Sequence, residues 1–191
     1  LSRLAGGIGT LGAIGLARSH LKLGGAVETL ATLPMMIPEL VLGMAYLSVF
    51  TAVGFKLGMG ALVLTHTTFC IPYVFINVKS RLIGMDPSLS EAARDLGCNS
   101  LGVLRRVIFP LSLPGVVSGI TMVLIPSIST FYISQKLGNG KFFLIGDAIE
   151  GQYVANNLHF AAAIAFILML ILLAAMALMK RGTNKRVYGG V

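Results

Sequence analysis

The side chains that most often catalyse reactions or bind metals are few in this sequence, and they lie far apart. The three histidines are His20, His66 and His159, and the two cysteines are Cys70 and Cys98. None of them forms a His-x-x-x-His or Cys-x-x-Cys pair, the short spacing that metal sites on one helix or loop commonly use. The sequence therefore predicts no metal site.

A phosphate-binding loop is missing from the sequence as well. The nearest imitation, Gly138-Asn139-Gly140-Lys141, lacks the glycine spacing and the hydroxyl residue of the Gly-x-x-x-x-Gly-Lys-Ser/Thr motif. The sequence also contains no nucleophile elbow of the Gly-x-Ser-x-Gly type. We therefore predict that the chain has no catalytic residues, is not an enzyme and binds no cofactor directly.

The composition is that of a membrane protein. Apolar residues make up 55% of the chain and charged residues 12%, and the mean hydropathy is +0.86. In soluble domains about 25% of residues are charged. The net charge of +8 would suit a nucleic acid, but the sequence has no zinc-ligand spacing, no RNA-binding aromatic motif and no basic helix. We therefore expect the lipid bilayer, and not a nucleic acid, as the surrounding partner.

The apolar segments predict an all-α, polytopic bundle of transmembrane helices that forms a single domain, 1–191. A helix needs about 20 apolar residues to cross roughly 30 Å of hydrocarbon. One apolar segment, 4–17, is shorter than this. Because the chain begins with Leu1, we expect this segment to be the end of a span whose beginning is missing. A short interfacial helix is the alternative for 4–17. The four segments that reach the required length are 33–54, 58–77, 113–133 and 158–179.

Small residues recur at every fourth position of the first segment. They are Ala5, Gly9, Ala13 and Ala17. Positions four apart share one face of a helix, and a face of small residues lets a second helix approach closely. We expect that face of the segment to pack against another helix.

The basic residues predict the orientation of the chain, because short cytoplasmic loops retain Lys and Arg. Five spans put four of them on the outer side: Arg3, Lys56, Lys136 and Lys141. The other basic residues fall on the opposite side: Arg18, Lys22, Lys79, Arg81, Arg94, Arg105, Arg106, Lys180, Arg181, Lys185 and Arg186. We therefore expect the loop 79–112 and the C-terminus to face the cytoplasm.

Within that loop, the stretch GMDPSLSEAARDLG predicts a short helix with defined ends. Asp86 and Ser88 are both N-cap residue types, and Ser88 with Glu91 has the spacing of a capping box. Pro87 suits the first turn of a helix. Gly97 is typical of the position just after a helix, where a positive φ is common.

A second helix is predicted from Asn99 or Ser100 until Pro110 ends it. Its apolar positions share one face, and Arg105 and Arg106 point away from that face. A helix, a glycine elbow and a helix would then lie across the membrane surface between two spans. Such a pattern fits either an amphipathic segment on the membrane or a docking element for another protein, and the small pair Ala92-Ala93 favours docking.

At these residues the chain resembles the membrane subunits of binding-protein-dependent ABC importers. Their signature is Glu-Ala-Ala, three residues, Gly, nine residues and Ile-x-Leu-Pro. In this sequence Val107 replaces the Ile and Phe109 replaces the Leu, so both departures stay apolar. The positions that match are Glu91, Ala92, Ala93, Gly97 and Pro110.

The resemblance implies a type I permease fold with six spans and a coupling helix that docks on a cytoplasmic ATPase, which would use the ATP. It also implies a second permease subunit, a periplasmic or extracellular solute-binding protein, and a location in the bacterial cytoplasmic (inner) membrane. The residues to which it gives the coupling role are Glu91, Ala92, Ala93, Arg94, Asp95, Gly97 and Pro110.

The stretches LPMMIPELVLGMAYL and FLIGDAIEGQYVANNLHFAAAIAF are similar to permease subunits of spermidine/putrescine importers. We therefore expect a polyamine cargo. Permeases for ferric iron, sulfate, thiosulfate or phosphonate share the coupling signature and are the alternatives. A remote alternative is an ion-coupled carrier with Glu39 and His66 as a proton relay, although such a carrier needs no docking loop.

The candidate residues of the substrate path follow from polarity inside the spans. Glu39 is a carboxylate at membrane depth, where charges are costly and usually face a pathway or a partner. Pro34 and Pro38 would free nearby backbone carbonyls that can bind a cation. Alternatively, Glu39 pairs with the second permease or reaches the interface. Three aromatic side chains could face an ammonium group or simply pack, namely Tyr46, Phe131 and Tyr132.

Three further polar residues have two interpretations each. Asp147 and Glu150, in the predicted outer loop, are expected either to meet the delivering binding protein or to be ordinary solvated charges. His66, within a span, is expected either to serve a function or to bond to a neighbouring helix.

Overall fold

The computed structural model describes residues 2–18 and 24–188; the side chains of 2, 18, 180 and 182–188 are not described. His20 and Lys22 lie outside the described residues, and so do the side chains of Arg18, Lys180, Lys185 and Arg186. Every regular element within the described ranges is a helix, as predicted. The helices are α1 (Ser2–Arg18), α2 (Gly24–Met36), α3 (Glu39–Ala52), α4 (Met59–Ile83), α5 (Ser88–Asp95), α6 (Ser100–Val103), α7 (Phe109–Ser129), α8 (Tyr132–Leu137), α9 (Ile145–Val154) and α10 (Leu158–Tyr188).

Among the described residues, three helical stretches are long and apolar enough to cross a membrane: Met59–Ile83, Ser100–Ser129 and Leu158–Met179. The pair α2 and α3 would make a fourth span if it is counted as one bent helix. Helix α1 is apolar over Arg3–Ala17 but shorter than a full span. The five predicted segments thus correspond to three full-length helices, one bent pair and one short helix.

The segment 33–54 is not the continuous helix that its apolar character predicts. It divides into α2 and α3, which meet at an angle of 108°. The break lies at Ile37 and Pro38, because a residue before proline is driven out of the helical region and Pro38 itself adopts ψ 137°. Pro34, by contrast, lies inside α2.

Helix α4 forms the centre of the bundle, with α1 and α7 packed against it. Val74 is fully buried where the three helices meet. A Cβ built on Gly9 of α1 would come within 2.9 Å of the Val74 Cβ, and one on Gly119 of α7 would come within 2.6 Å of its Cα. The predicted small-residue face of α1 therefore does pack against another helix, and α7 uses a glycine in the same way.

The two ends of α4 contact different parts of the chain. At its C-terminal end, Leu82 packs with Ile14 of α1, Ala93 of α5 and Ile108 at the start of α7. We call this side the loop end. At the opposite end, the backbone N–H of Gly58 donates to the carbonyl of Leu137, 2.8 Å away.

Candidate functional site

Helix α5 begins with a cap that differs from the predicted capping box. The backbone N–H of Ser88 donates to Asp86 Oδ1 at 2.9 Å, and no side-chain cap is made by Pro87 at the N-cap position. This hydrogen bond lowers the pKa of Asp86 from its ordinary value, since it stabilises the carboxylate. Asp86, and not a Ser88–Glu91 box, therefore fixes the first turn.

Helix α5 ends in a Schellman motif at Gly97, which has the positive φ that the sequence predicts (84°). The N–H of Gly97 donates to Arg94 O at 2.8 Å, and the N–H of Cys98 donates to Ala93 O at 3.0 Å. Apart from its two chain neighbours, no described residue comes within 4 Å of a Cβ built on Gly97. The glycine is therefore required by the backbone turn, and its open side faces away from this chain.

The surface of α5 divides into one buried residue and an exposed ridge. Ala93 is only 9% exposed and packs into the cluster at the loop end. Glu91, Ala92, Arg94 and Asp95 are all exposed. Directly after them Leu96 is 86% exposed, and no described residue covers this apolar side chain. The ridge therefore presents charged side chains, a small residue and one large apolar side chain at the surface.

The second predicted helix does not end at Pro110. Asn99 caps it as predicted, accepting a hydrogen bond from Gly102 N at 2.8 Å. The helix then runs without a break through Ser100–Ser129, and a π-helical turn over Leu104–Ile108 precedes the proline. Inside an α-helix a proline ring clashes with the carbonyl four residues earlier, and proline has no N–H to donate to that carbonyl. The wider π-helical turn before Pro110 makes room for the ring. This helix is therefore the start of a span and not a separate helix on the membrane surface.

A cleft of about 300 Å³ separates α5 from the ends of α1 and α4. Its walls are partly apolar, with Ile14 and Met85, and partly charged, with Asp86, Glu91 and Arg94. Helix α5 therefore rests on the bundle mainly through Ala93, with open space on the flank that carries its charges.

A second polar region lies where two helices are interrupted. The break between α2 and α3 places Glu39 at the first residue of α3, and α7 ends at Ser129 before Thr130 turns to an extended conformation. The hydroxyl of Thr130 donates a hydrogen bond to Glu39 Oε1. Thr130 was not expected from the sequence as a site residue, because only its position at the helix break gives it this role.

The predicted aromatic residues lie near Glu39 but not in one cluster. Tyr132 packs so closely on Gly43, one turn beyond Glu39, that a Cβ at Gly43 would lie 3.0 Å from its ring. Lys136 Nζ lies 5.9 Å from the centre of the Tyr132 ring. The ring of Tyr46 packs at a tilt against that of Phe50, with ring centres 5.6 Å apart. Tyr46 therefore takes part in core packing, and Tyr132 already faces a cation of this chain.

Phe131 occupies the break itself. It is half-buried and adopts φ −131° and ψ −37° between α7 and α8. Its backbone carbonyl accepts a hydrogen bond from Ser134 Oγ at 2.7 Å. Of the four predicted path residues, Glu39, Phe131 and Tyr132 thus lie around the two breaks.

Asp147 is not the exposed outer-loop charge that was expected. It is only 2% exposed, and its carboxylate accepts hydrogen bonds from Ser134 Oγ at 2.8 Å and from Leu144 N at 2.6 Å. Asp147 therefore joins α8 to the start of α9. Glu150 is half-buried and accepts a hydrogen bond from Gln135 Nε2 at 2.9 Å.

Among the described residues, no group of three or more His, Cys, Asp or Glu side chains could hold a metal ion. His66 is 2% exposed, and its Nδ1 lies 3.1 Å from the carbonyl of Leu62 in its own helix.

The chain matches a known protein family over most of its length. Residues 7–186 match the family described as binding-protein-dependent transport system inner membrane component. The chain belongs to that family. This result confirms the resemblance noted from the sequence.

Relatives within the family are similar over most of this inner membrane component. It is 34% identical to the spermidine/putrescine transport system permease protein PotC of Haemophilus influenzae over 178 residues. These aligned residues cover 93% of this chain and 69% of that protein. It is 30% identical over 187 residues to PotC of Escherichia coli K12, covering 96% and 71%.

A solved structure shows the same fold. It describes inward-facing conformations of the MetNI methionine ABC transporter, and it superposes with a TM-score of 0.75 over 95% of this chain and 88% of that one, at 22% identity. The inner membrane component is thus a multi-pass membrane protein with an ABC importer permease fold, as predicted.

Proposed function

We propose that the chain is the permease subunit of an ATP-driven ABC importer that moves polyamines across the bacterial cytoplasmic membrane. The observation that carries the proposal is the similarity to two spermidine/putrescine permeases over 93% and 96% of the chain. The chain forms the translocation path and catalyses no reaction. It binds no cofactor itself, and the ATP is hydrolysed by a partner subunit.

The exposed ridge of α5 is the surface proposed to dock on the ATPase. The proposed coupling residues on this exposed surface are Glu91, Ala92, Arg94, Asp95 and Gly97. Ala93 is the buried coupling residue of the same helix, and Pro110 belongs to the helix that follows. Exposure supports this role, because the charges of the ridge and the side chain of Leu96 are not covered by any residue that the structure describes. The contact of Ala93 with Ile14, Val103 and Ile108 gives a physical route by which motion of α5 reaches α1 and α7.

The orientation that fits this role has the loop end and the C-terminus in the cytoplasm. The basic residues Arg81, Arg94, Arg105 and Arg106 lie at the loop end of α4, α5 and α7. Helix α10 starts beside α9 and reaches Thr121 of α7 with Met179, so it runs toward the same end.

The other proposed partners are a second permease subunit, identical to this chain or different from it, and a solute-binding protein on the outer side. Co-purification of the tagged chain from cells that express the whole transport operon tests the coupling part of the proposal. We expect an ATPase subunit to co-purify, and its recovery to fall when Leu96 is replaced by Glu. A chain that transports solute without any associated ATPase would instead be an ion-coupled carrier, and the proposal would be wrong.

A further inference from the structure

The face of α4 that carries His66 packs against α8 and α7, and α4 runs antiparallel to both helices. Gly58 bonds to Leu137, and Leu62 packs in one cluster with Ile133 and Leu137. Two turns beyond Leu62, Cys70 Sγ lies 3.7 Å from Ser127 Oγ. Residues four apart share a helix face, so His66 lies midway between these two contacts. It therefore lies at the level of the break between α7 and α8.

His66 presents an unused hydrogen-bond acceptor at that level. Its Nδ1 lies 3.1 Å from the Leu62 carbonyl, which can only accept, so Nδ1 carries the proton and Nε2 is the acceptor. Nε2 has no hydrogen-bond partner among the described residues, and the side chain is 2% exposed. A buried acceptor without a donor costs free energy, so such an atom calls for an explanation, and a donor supplied by a bound molecule is one.

Glu39 supplies a second acceptor at the same break. Its carboxylate is bonded to the hydroxyl of Thr130, the residue that follows the last turn of α7, and the register of α4 puts His66 at the level of that same residue. The hydroxyl is a neutral donor, and an ammonium group would be a stronger one because its hydrogen bonds are charge-assisted.

We propose that Glu39 and the Nε2 atom of His66 together bind a primary ammonium group of the cargo, which displaces the Thr130 hydroxyl from Glu39. An alkylammonium has three N–H donors, enough for both acceptors at once. Glu39 supplies the charge, and His66 distinguishes a donor-bearing amine from a cation without N–H groups. The inference rests on the proposed polyamine transport and assigns a cargo-binding residue within it.

The test compares variants of the complete transporter in proteoliposomes, with saturating binding protein and radiolabelled spermidine. His66→Phe keeps a flat ring but removes the acceptor, whereas His66→Gln keeps an acceptor oxygen. We expect the Phe variant to move at most about one tenth as much spermidine per ATP hydrolysed as the wild type. A loss of about tenfold is what one lost hydrogen bond to a charged group costs. The Gln variant should recover most of this loss.

Thr65→Val is the matched control, because it removes another buried, unpartnered oxygen from the same helix. It should leave the ratio of spermidine to ATP unchanged. If His66→Phe does not assemble, His66→Met supplies an adaptable apolar side chain for the same measurement. An assembled Phe or Met variant with the wild-type ratio would overturn the role of His66 while leaving polyamine transport in place. A wild-type transporter that moves no spermidine would overturn the proposed function itself.

Discussion

The hydroxyl of Thr130 donates a hydrogen bond to the carboxylate of Glu39, and this bond ties the end of α7 to the start of α3. Both residues lie at interruptions of helices, where backbone groups lack their usual partners. Interrupted helices inside a membrane are tolerated where they are buried in protein or line a cavity, and they often bind the substrate in transporters. The bond between Thr130 and Glu39 is therefore expected to break and re-form as cargo passes.

Replacing Glu39 by Gln should impair uptake of a polyamine far more than assembly with the ATPase. The amide keeps the size and an acceptor oxygen for Thr130 but removes the negative charge. Loss of one contact to a charged group costs about 1.5 to 3 kcal/mol, or roughly tenfold and more at that step. Uptake of radiolabelled putrescine and the amount of associated ATPase are measured in parallel.

Thr130→Val is the control for this prediction, because it removes the hydrogen bond between the two residues and leaves the charge of Glu39 in place. It should retain more uptake than Glu39→Gln. Equal uptake by Glu39→Gln and the wild type at low cargo concentration would show that Glu39 is structural.

Replacing Gly97 by Val should uncouple the permease from the ATPase while the protein still inserts into the membrane. The φ of 84° is unfavourable for a residue with a Cβ by about 1 to 2 kcal/mol, and a branched side chain fits it worse. The added bulk would meet none of the described residues and would therefore act on whatever docks there. Spermidine uptake and ATPase stimulation should both fall at normal membrane abundance.

Gly84→Val is the matched control in the same loop, since Gly84 has an ordinary φ of −80° and is exposed. It should behave nearly like the wild type. Full uptake and unchanged ATPase stimulation in Gly97→Val would rule out a docking role for the elbow.

Replacing Gly9 by Ala should destabilise the bundle, because the new methyl group would lie 2.9 Å from Val74 Cβ and 3.1 Å from Ile71 O. Overpacking of this kind typically costs about 1 to 3 kcal/mol. Gly7→Ala in the same helix meets nothing within 4 Å and should be neutral or slightly stabilising. Thermal unfolding of the two purified variants in one detergent measures the difference, and equal midpoints would contradict the packing described for α1.

The orientation can be tested by cysteine labelling in a background without Cys70 and Cys98. Leu96→Cys at the coupling loop should react with a membrane-impermeant reagent only after the cells are opened. Asn139→Cys, at the opposite end, should react in intact spheroplasts. Labelling of Leu96→Cys in sealed spheroplasts would put the loop outside the cytoplasm and remove it from the ATPase.

Features set by local backbone chemistry could be predicted from the sequence. Gly97 follows a short amphipathic helix, and its positive φ is that of a helix stop. The spacing of Ala5, Gly9 and Ala13 correctly indicated a packed helix face. These patterns depend on neighbours within one or two turns, so the sequence carries them directly.

Features set by long-range contacts could not be predicted in this way. Asp147 is buried because Ser134 of another helix bonds to it, and a sequence pattern does not contain that pairing. Pro110 stays inside a helix because a π-helical turn precedes it. The place of His66 beside the break depends on the antiparallel register of α4 with α7 and α8, which only the fold provides.

ATP-driven import of polyamines is tested most directly by the uptake of radiolabelled spermidine into proteoliposomes that contain the whole transporter. We predict uptake that requires both ATP and the solute-binding protein and that excess putrescine competes away, while sulfate, phosphonate and ferric iron have no effect. Uptake of an anion or of ferric iron with no movement of spermidine, or spermidine uptake that continues without ATP, would contradict the account.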